Sequence, residues 1–353
     1  MFTMKVTGSV QAALCNRLQD LYCKGIPFLL LSQTIRPYLS QPILYSSLSA
    51  CTDDSRIKTS TELDISFFKE IQLLECYRSV EDFPFCMNKV ERLMRPKLTS
   101  HQVVTLQCMT SSLLRNSSLS IQNDIDPNKN RAVYCNIYKV TAMLKLPCTT
   151  GFVSDILYLA MYFYRTRRYE LSLNCLKKAQ ERMSAPFIVY DKTVDIDTYE
   201  YYTTGMSLEM KIKRAVMINI RLIFKVIYID ELELEQKIIR KNRTRVLFVP
   251  PFVILHMLFI LNHHRLGDTV RSLQSLNDLL TLLLYDDDDY VSTAERDTSC
   301  KILGICQQIT GDFSGSLQSY QNSFPQIPFH RIQDATHLRL NMLPRGTILY
   351  HCA

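Results

Sequence analysis

ILGICQQITGDFSGSLQSY, residues 302–320, sets three glycines within twelve positions of a 353-residue chain that holds only nine. Glycines this close either cradle a phosphate or let two helices approach. A phosphate loop needs G-x-x-x-x-G-K-[S/T] after a strand, so that backbone N–H groups and a lysine meet the anion. Gly304 and Gly311 have the wrong gap, and Asp312 stands where lysine belongs and would repel phosphate. The spacing fits packing instead: Gly304 for a close helix approach, Gly311 for the positive φ that closes a helix. Gly315 has no specific role in this reading beyond weakening its helix.

The stretch repeats. Residues 261–276 (LNHHRLGDTVRSLQSL) and 305–320 (ICQQITGDFSGSLQSY) agree at six positions, including Gly-Asp and an S-L-Q-S run. Residues 163–176, FYRTRRYELSLNCL, follow a related pattern without the glycine. Recurring helical hairpins with small residues at fixed offsets mark a helical repeat array. The tetratricopeptide pattern fits best. One unit has Gly304, Gly311, Phe313, Ser316, Tyr320, Ser323 and Pro328; another has Leu159, Ala160, Phe163, Tyr169, Ser172, Leu176 and Ala179, with Pro186 slightly late. The units are not in tandem. The expected fold is therefore all-α, an irregular α-α superhelix of tetratricopeptide-like helical hairpins. Its groove would hold a peptide or partner helix. Tyr158, Tyr162, Arg165 and Arg168, around the first hairpin's outer positions, are the candidate groove residues.

Bulk composition agrees. The chain is 47% hydrophobic with sparse Gly and Pro, enough for a sizeable core and against collagen-like or disordered classes. A net charge of +7 is modest for this length and does not mark an obligate nucleic-acid binder. Twelve scattered cysteines form no C-x-x-C, which predicts reduced, mostly buried thiols and a cytosolic setting. The first fifteen residues hold no continuous apolar run, so no signal peptide is expected and the sequons at Asn116 and Asn242 are read as idle. VLFVPPFVILHMLFIL, residues 246–261, is shorter than the roughly twenty residues a membrane span needs. It reads as a buried helix starting after Pro250-Pro251.

Along the chain, an amphipathic helix opens at 10–25, and 25–60 is broken by Pro27, Pro37 and Pro42. TDDSRIKTSTE, 52–62, reads as a linker. Three short-linked helices follow, with stripes Leu63/Phe67/Ile71/Leu74, Phe83/Met87/Val90/Met94 and Val103/Leu106/Met109/Leu113. NSSLSIQNDIDPNKNR, 116–131, reads as a polar break. It divides an N-terminal helical region, 1–130, from a C-terminal array, 131–345, with a tail at 346–353. Residues 186–202 read as irregular with a short strand. Residues 206–229 are ambiguous between helix and strand, and helix is favoured.

Chemical sites are few. VDIDTYE, 194–200, has the alternating acids Asp195 and Asp197 that two-metal nucleotidyltransferases carry on a strand, but no Gly-Ser turn lies nearby. YDDDDY, 285–290, lacks EF-hand spacing and reads as an acidic loop, with Ser292 or Thr293 capping the next helix. His256/His263 and His330/His337 lack an H-E-x-x-H or cysteine partner. No catalytic residue, metal or cofactor is expected. The basic runs 165–168, 211–214 and 237–245 are the strongest hint of an alternative, a nucleic-acid or nucleotide sensor.

The succession VSDILYLAMYFYRTRRYELSLNCL, MSLEMKIKRAVMINIRLIFKVIYIDELELEQ, LFVPPFVILHMLFILNHHRLGD and CKILGICQQITGDFSGSLQSYQNSF resembles the C-terminal helical region of invertebrate proteins of the male-abnormal-twenty-one family, relatives of cyclic GMP-AMP synthase. The resemblance covers about residues 115–345, and F-V-P-P and H-R-L-G-D are its most specific elements. That family's catalysis resides in an N-terminal nucleotidyltransferase core whose Gly-Ser turn and acidic pair have no counterpart here. The resemblance implies a tail-only relative, a fragment or a degenerate paralogue, with a link to innate immune sensing, and it carries over no catalytic residue.

Overall fold

The computed structural model describes residues 60–73, 88, 90–93, 98–123, 130–190, 195–223, 226–241, 246–286 and 290–344. The expectations for 10–60, and most of those for 74–97, lie outside them. The described residues are predominantly helical, with one two-stranded sheet. The helices are α1 (Ser60–Leu73), α2 (Ser100–Asn123), α3 (Asn130–Lys145), α4 (Pro147–Thr150), α5 (Asp155–Arg165), α6 (Tyr169–Met183), α7 (Ile196–Thr203), α8 (Leu208–Ala215), α9 (Glu233–Lys241), α10 (Pro251–Arg265), α11 (Thr269–Tyr285), α12 (Arg296–Thr310), α13 (Phe313–Ser323) and α14 (Gln333–Asn341). Strand β1 (Ile220–Ile223) pairs antiparallel with β2 (Val246–Val249), Ile220 opposite Val249.

Three hairpins, α5–α6, α10–α11 and α12–α13, share one geometry. Each turn holds a residue at positive φ: Arg167 (60°), Gly267 (75°) and Gly311 (89°). Each next residue's N–H reaches back five residues, from Arg168 to Phe163 O, Asp268 to His263 O and Asp312 to Gln307 O, at 2.8–2.9 Å. This is the helix-closing bond of a left-handed C-terminal cap. A buried serine then donates across each hairpin to a carbonyl twelve residues back: Ser172 to Ala160 (2.9 Å), Ser272 to Ile260 (3.2 Å) and Ser316 to Gly304 (2.8 Å). The first helix of each later hairpin lies against both helices of the one before, α10 on α5 and α6, α12 on α10 and α11. The three stack in order, although residues 184–250 intervene between the first and second.

The glycines of the third hairpin have separate tasks. A Cβ on Gly304 would lie 2.6 Å from the Tyr320 ring, so the missing side chain sets the helix separation. Gly304→Ala should cost about 1–3 kcal/mol of stability, because a fully buried aromatic must shift. Urea unfolding reads this directly, and an unchanged midpoint would show that Tyr320 yields freely. Gly315 does have a role. Its absent Cβ leaves room for the Asp312 carboxylate, which accepts the Gly315 N–H at 2.9 Å and caps α13.

Residues 246–261 form β2 and then α10, which begins at Pro251. Pro251 holds Pro250 extended (ψ 135°), which ends the strand, and a proline at the first helical position loses no helical hydrogen bond. The helix is buried on nearly all sides and forms the centre of the main core. Among the described residues, no helix is long and apolar enough to cross a membrane.

Two expectations fail for identifiable reasons. Residues 206–229 are not one helix. Only α8 is helical; from Val216 the chain is extended and enters β1. Val189 N–H donates to Ala215 O and Met217 N–H to Val189 O, so two tertiary partners, Val189 and β2, capture the β-branched run. Val189 supplies the short extended pairing expected within 186–202, but the later part of that stretch, expected to be irregular, forms α7 behind the Asp195 cap. Residues 116–123 are not a break but the end of α2, with Ser117, Ser118 and Leu119 buried. Ser118 Oγ donates to Arg115 O and Ser120 Oγ to Asn116 O, so serine hydroxyls are satisfied inside the helix.

The other helices follow their signals with small shifts. Thr99 and Gln102 exchange side-chain-to-backbone hydrogen bonds, a reciprocal box at the start of α2. In α1, Phe67, Phe68 and Ile71 are buried while Leu63 is exposed. Asp64 faces inward and receives Lys211 Nζ from α8 at 2.5 Å.

Candidate functional site: an arginine-lined cleft at the hairpin turns

The four groove candidates separate. Tyr158 and Tyr162 are 1% exposed, so they belong to the core rather than to an accessible groove. Tyr158 OH accepts from Arg221 N at 2.7 Å, and the Arg115 guanidinium lies 4.3 Å from its ring centre. Tyr162 OH donates to Ile137 O. The signal that misled was helical position alone, which does not tell which neighbour covers a face. Arg165 and Arg168 lie at the first turn, where Arg165 borders a cleft.

The cleft measures about 360 Å³. Tyr164 and Arg165 from the end of α5, Arg167 from the turn and Tyr169 from the start of α6 form one wall. Asp230 and Glu231, in a short 3-10 turn, and Arg265 from the end of α10 form the other. Tyr164 OH donates to Glu231 Oε1 at 2.5 Å, and Arg265 reaches the same oxygen at 3.2 Å. Burial and the Glu231 hydrogen bond push the Tyr164 phenol well up, so it keeps its proton. The Tyr164 hydroxyl and Glu231 hold Arg265 protonated. Arg165 donates to the Ile227 carbonyl and faces Asp230 at 3.9 Å.

Arg167 is different. It is exposed, and its side chain has no hydrogen-bond or ion-pair partner among the described residues. It holds the left-handed backbone that the other two turns give to glycine. At Gly267 and Gly311 an added Cβ would meet nothing within 4 Å, so a side chain fits there and the penalty is conformational. Arg168 likewise stands where Asp268 and Asp312 cap the following helix, and α6 has no side-chain cap. The visible clue was the glycine missing from 163–176. Its meaning depended on Asp230, Glu231 and Arg265, which are distant in sequence.

The remaining candidates have structural roles. Asp195 caps α7, accepting from Asp197 N at 3.3 Å and from the Thr198 hydroxyl, and that hydroxyl holds its carboxyl below the usual range. Asp197 sits in the first helical turn, so the two acids do not share a strand face. Asp286 is buried and closes its loop through Tyr290 N (2.8 Å) and Val291 N (2.9 Å). Glu295, not Ser292 or Thr293, takes the cap position of α12. His330 precedes α14 and His337 lies on it, so they share no helix face. No group of three His, Cys, Asp or Glu suited to a metal occurs among the described residues. In the basic runs, Lys211 pairs with Asp64 and Lys237 with Glu233, while 242–245 lie outside the described residues.

Comparison with protein-family models, with curated proteins and with solved structures found no match to this chain.

Proposed function

We propose that this chain is a non-enzymatic interaction scaffold: an irregular, tetratricopeptide-like α-α array that holds a protein or peptide partner. The supporting observation is the threefold recurrence of one hairpin register, with each first helix seated on both helices of the preceding hairpin. Stacked hairpins of this kind expose extended surfaces suited to peptides and partner helices. The resemblance to the helical region of the male-abnormal-twenty-one family points the same way and suggests a cytosolic role in innate immune signalling. Asp195 caps α7 and Asp197 lies in its first turn, which speaks against an active nucleotidyltransferase site at this pair.

Crosslinking mass spectrometry on the intact chain in cells that express it tests this reading. Reproducible crosslinks from one partner segment to the hairpin surfaces are expected. A chain that forms none, or that converts ATP and GTP with Mg²⁺ to a product lost in Asp195→Ala, would overturn it.

A further inference from the structure

We propose that the cleft between the first hairpin turn, the 3-10 turn and the end of α10 binds an oxyanion, a phosphate or carboxylate group presented by a peptide partner. That the source is a peptide rests on the scaffold reading; the oxyanion chemistry rests on the cleft alone.

Charge decides it. Three guanidinium groups, of Arg165, Arg167 and Arg265, meet two carboxylates. Glu231 is engaged by Tyr164 and Arg265, and Asp230 faces Arg165. The cleft is left with a net cation and with Arg167 unmatched at its mouth. A planar guanidinium with five N–H donors is suited to a two-oxygen contact with phosphate or carboxylate. The Tyr164 and Tyr169 rings, 5.8 Å apart, give one wall an aromatic surface. The volume is that of a small-ligand site, large enough for a side-chain headgroup.

The two carboxylates are the counter-argument, since they would repel an anion. Both are already faced by cations, and Arg265 gives Nη2 to Glu231 Oε1 and Nε to the Tyr164 hydroxyl at 3.4 Å, so its Nη1 group remains for a ligand. The second Glu231 oxygen, Oε2, has no hydrogen-bond partner among the described residues but is buried away from solvent, so a cationic ligand in the cleft would find only Asp230, which Arg165 faces.

The test is calorimetric titration of the full chain with inorganic phosphate, with acetate and with phosphotyrosine, at matched ionic strength in chloride. Saturable binding of one or more is expected. Phosphate preferred over acetate would identify a phosphoryl source, and the reverse a carboxylate source. Arg167→Gly should weaken binding by about tenfold or more, through loss of a charge-assisted contact. It should not unfold the chain, because it places glycine at a positive φ, as in the other two hairpins. No saturable binding of any probe, or equal binding by the Gly variant, would overturn the inference. Crosslinks without anion binding would remove the oxyanion site and leave the scaffold, and anion binding without crosslinks would do the opposite.

Discussion

Asp155→Ala should lower stability by about 3–5 kcal/mol, because it removes the carboxylate paired with a buried cation. Asp155 and Arg115 are each 1% exposed, and Arg115 Nη1 bonds Asp155 Oδ1 directly. The second carboxylate oxygen accepts Phe152 N–H at 2.7 Å and fixes the entry to α5. Gly151 is part of the same arrangement, since a Cβ there would lie 1.9 Å from Asp155 Oδ2. The Tyr158 ring under the guanidinium and Ser112 Oγ at 3.4 Å are neutral contacts and do not replace the lost anion. The double variant Asp155→Leu with Arg115→Met should lose much less than the sum of the single losses, because no charge is then left unmatched. Urea unfolding of the parent, Asp155→Leu, Arg115→Met and the double variant gives the coupling. A loss below about 1 kcal/mol for Asp155→Ala would show that water reaches the pair.

Stability should also fall by about 3 kcal/mol as pH drops from 6.5 toward 4, through His330 alone. Phe248 N–H donates to His330 Nε2 at 3.0 Å, so Nε2 carries no proton. The proton sits on Nδ1 and faces Thr298 Oγ1 at 3.3 Å, and the Thr298 hydroxyl reaches Asp297 Oδ1. Burial pushes the imidazole from 6.5 to about 4; Asp297 opposes the shift and Lys301 adds to it. The fold thus refuses a proton that the unfolded chain accepts. The contribution is complete above about pH 6.5 and is lost as pH falls through about 4. His330→Gln places an acceptor near the Nε2 position without the titration. Its stability deficit relative to the parent at pH 7 should shrink at pH 4.5, and a deficit constant with pH would refute the assignment.

The helical architecture was legible because its cues are local. Gly304, Gly311 and the serines recur at fixed offsets, and Pro251 marks the start of α10. Expectations failed where a distant segment decides. Residues 216–223 take their extended form from Val189 and β2, which local propensity does not contain. The end of α2 looked like a linker because its buried serines are satisfied by its own carbonyls. Tyr158 and Tyr162 carried the right chemistry for a groove but are covered by Arg115, β1 and α3. The cleft joins residues 164–169 to 230–231 and 265, and only Arg167 left a trace in the sequence, as a glycine that is not there.

The serine that crosses each hairpin has a consequence for register. Ser172, Ser272 and Ser316 are essentially without solvent contact, so their hydroxyls have no water to fall back on. A slip of one residue, about 1.5 Å along the axis, would carry each hydroxyl away from its carbonyl and leave it stranded among hydrocarbon. Apolar packing alone tolerates small creep between helices; a polar bond at one atom does not. The array therefore behaves as a ruler with fixed graduations. Outer side chains can change freely from hairpin to hairpin while the pitch between the hairpins stays the same.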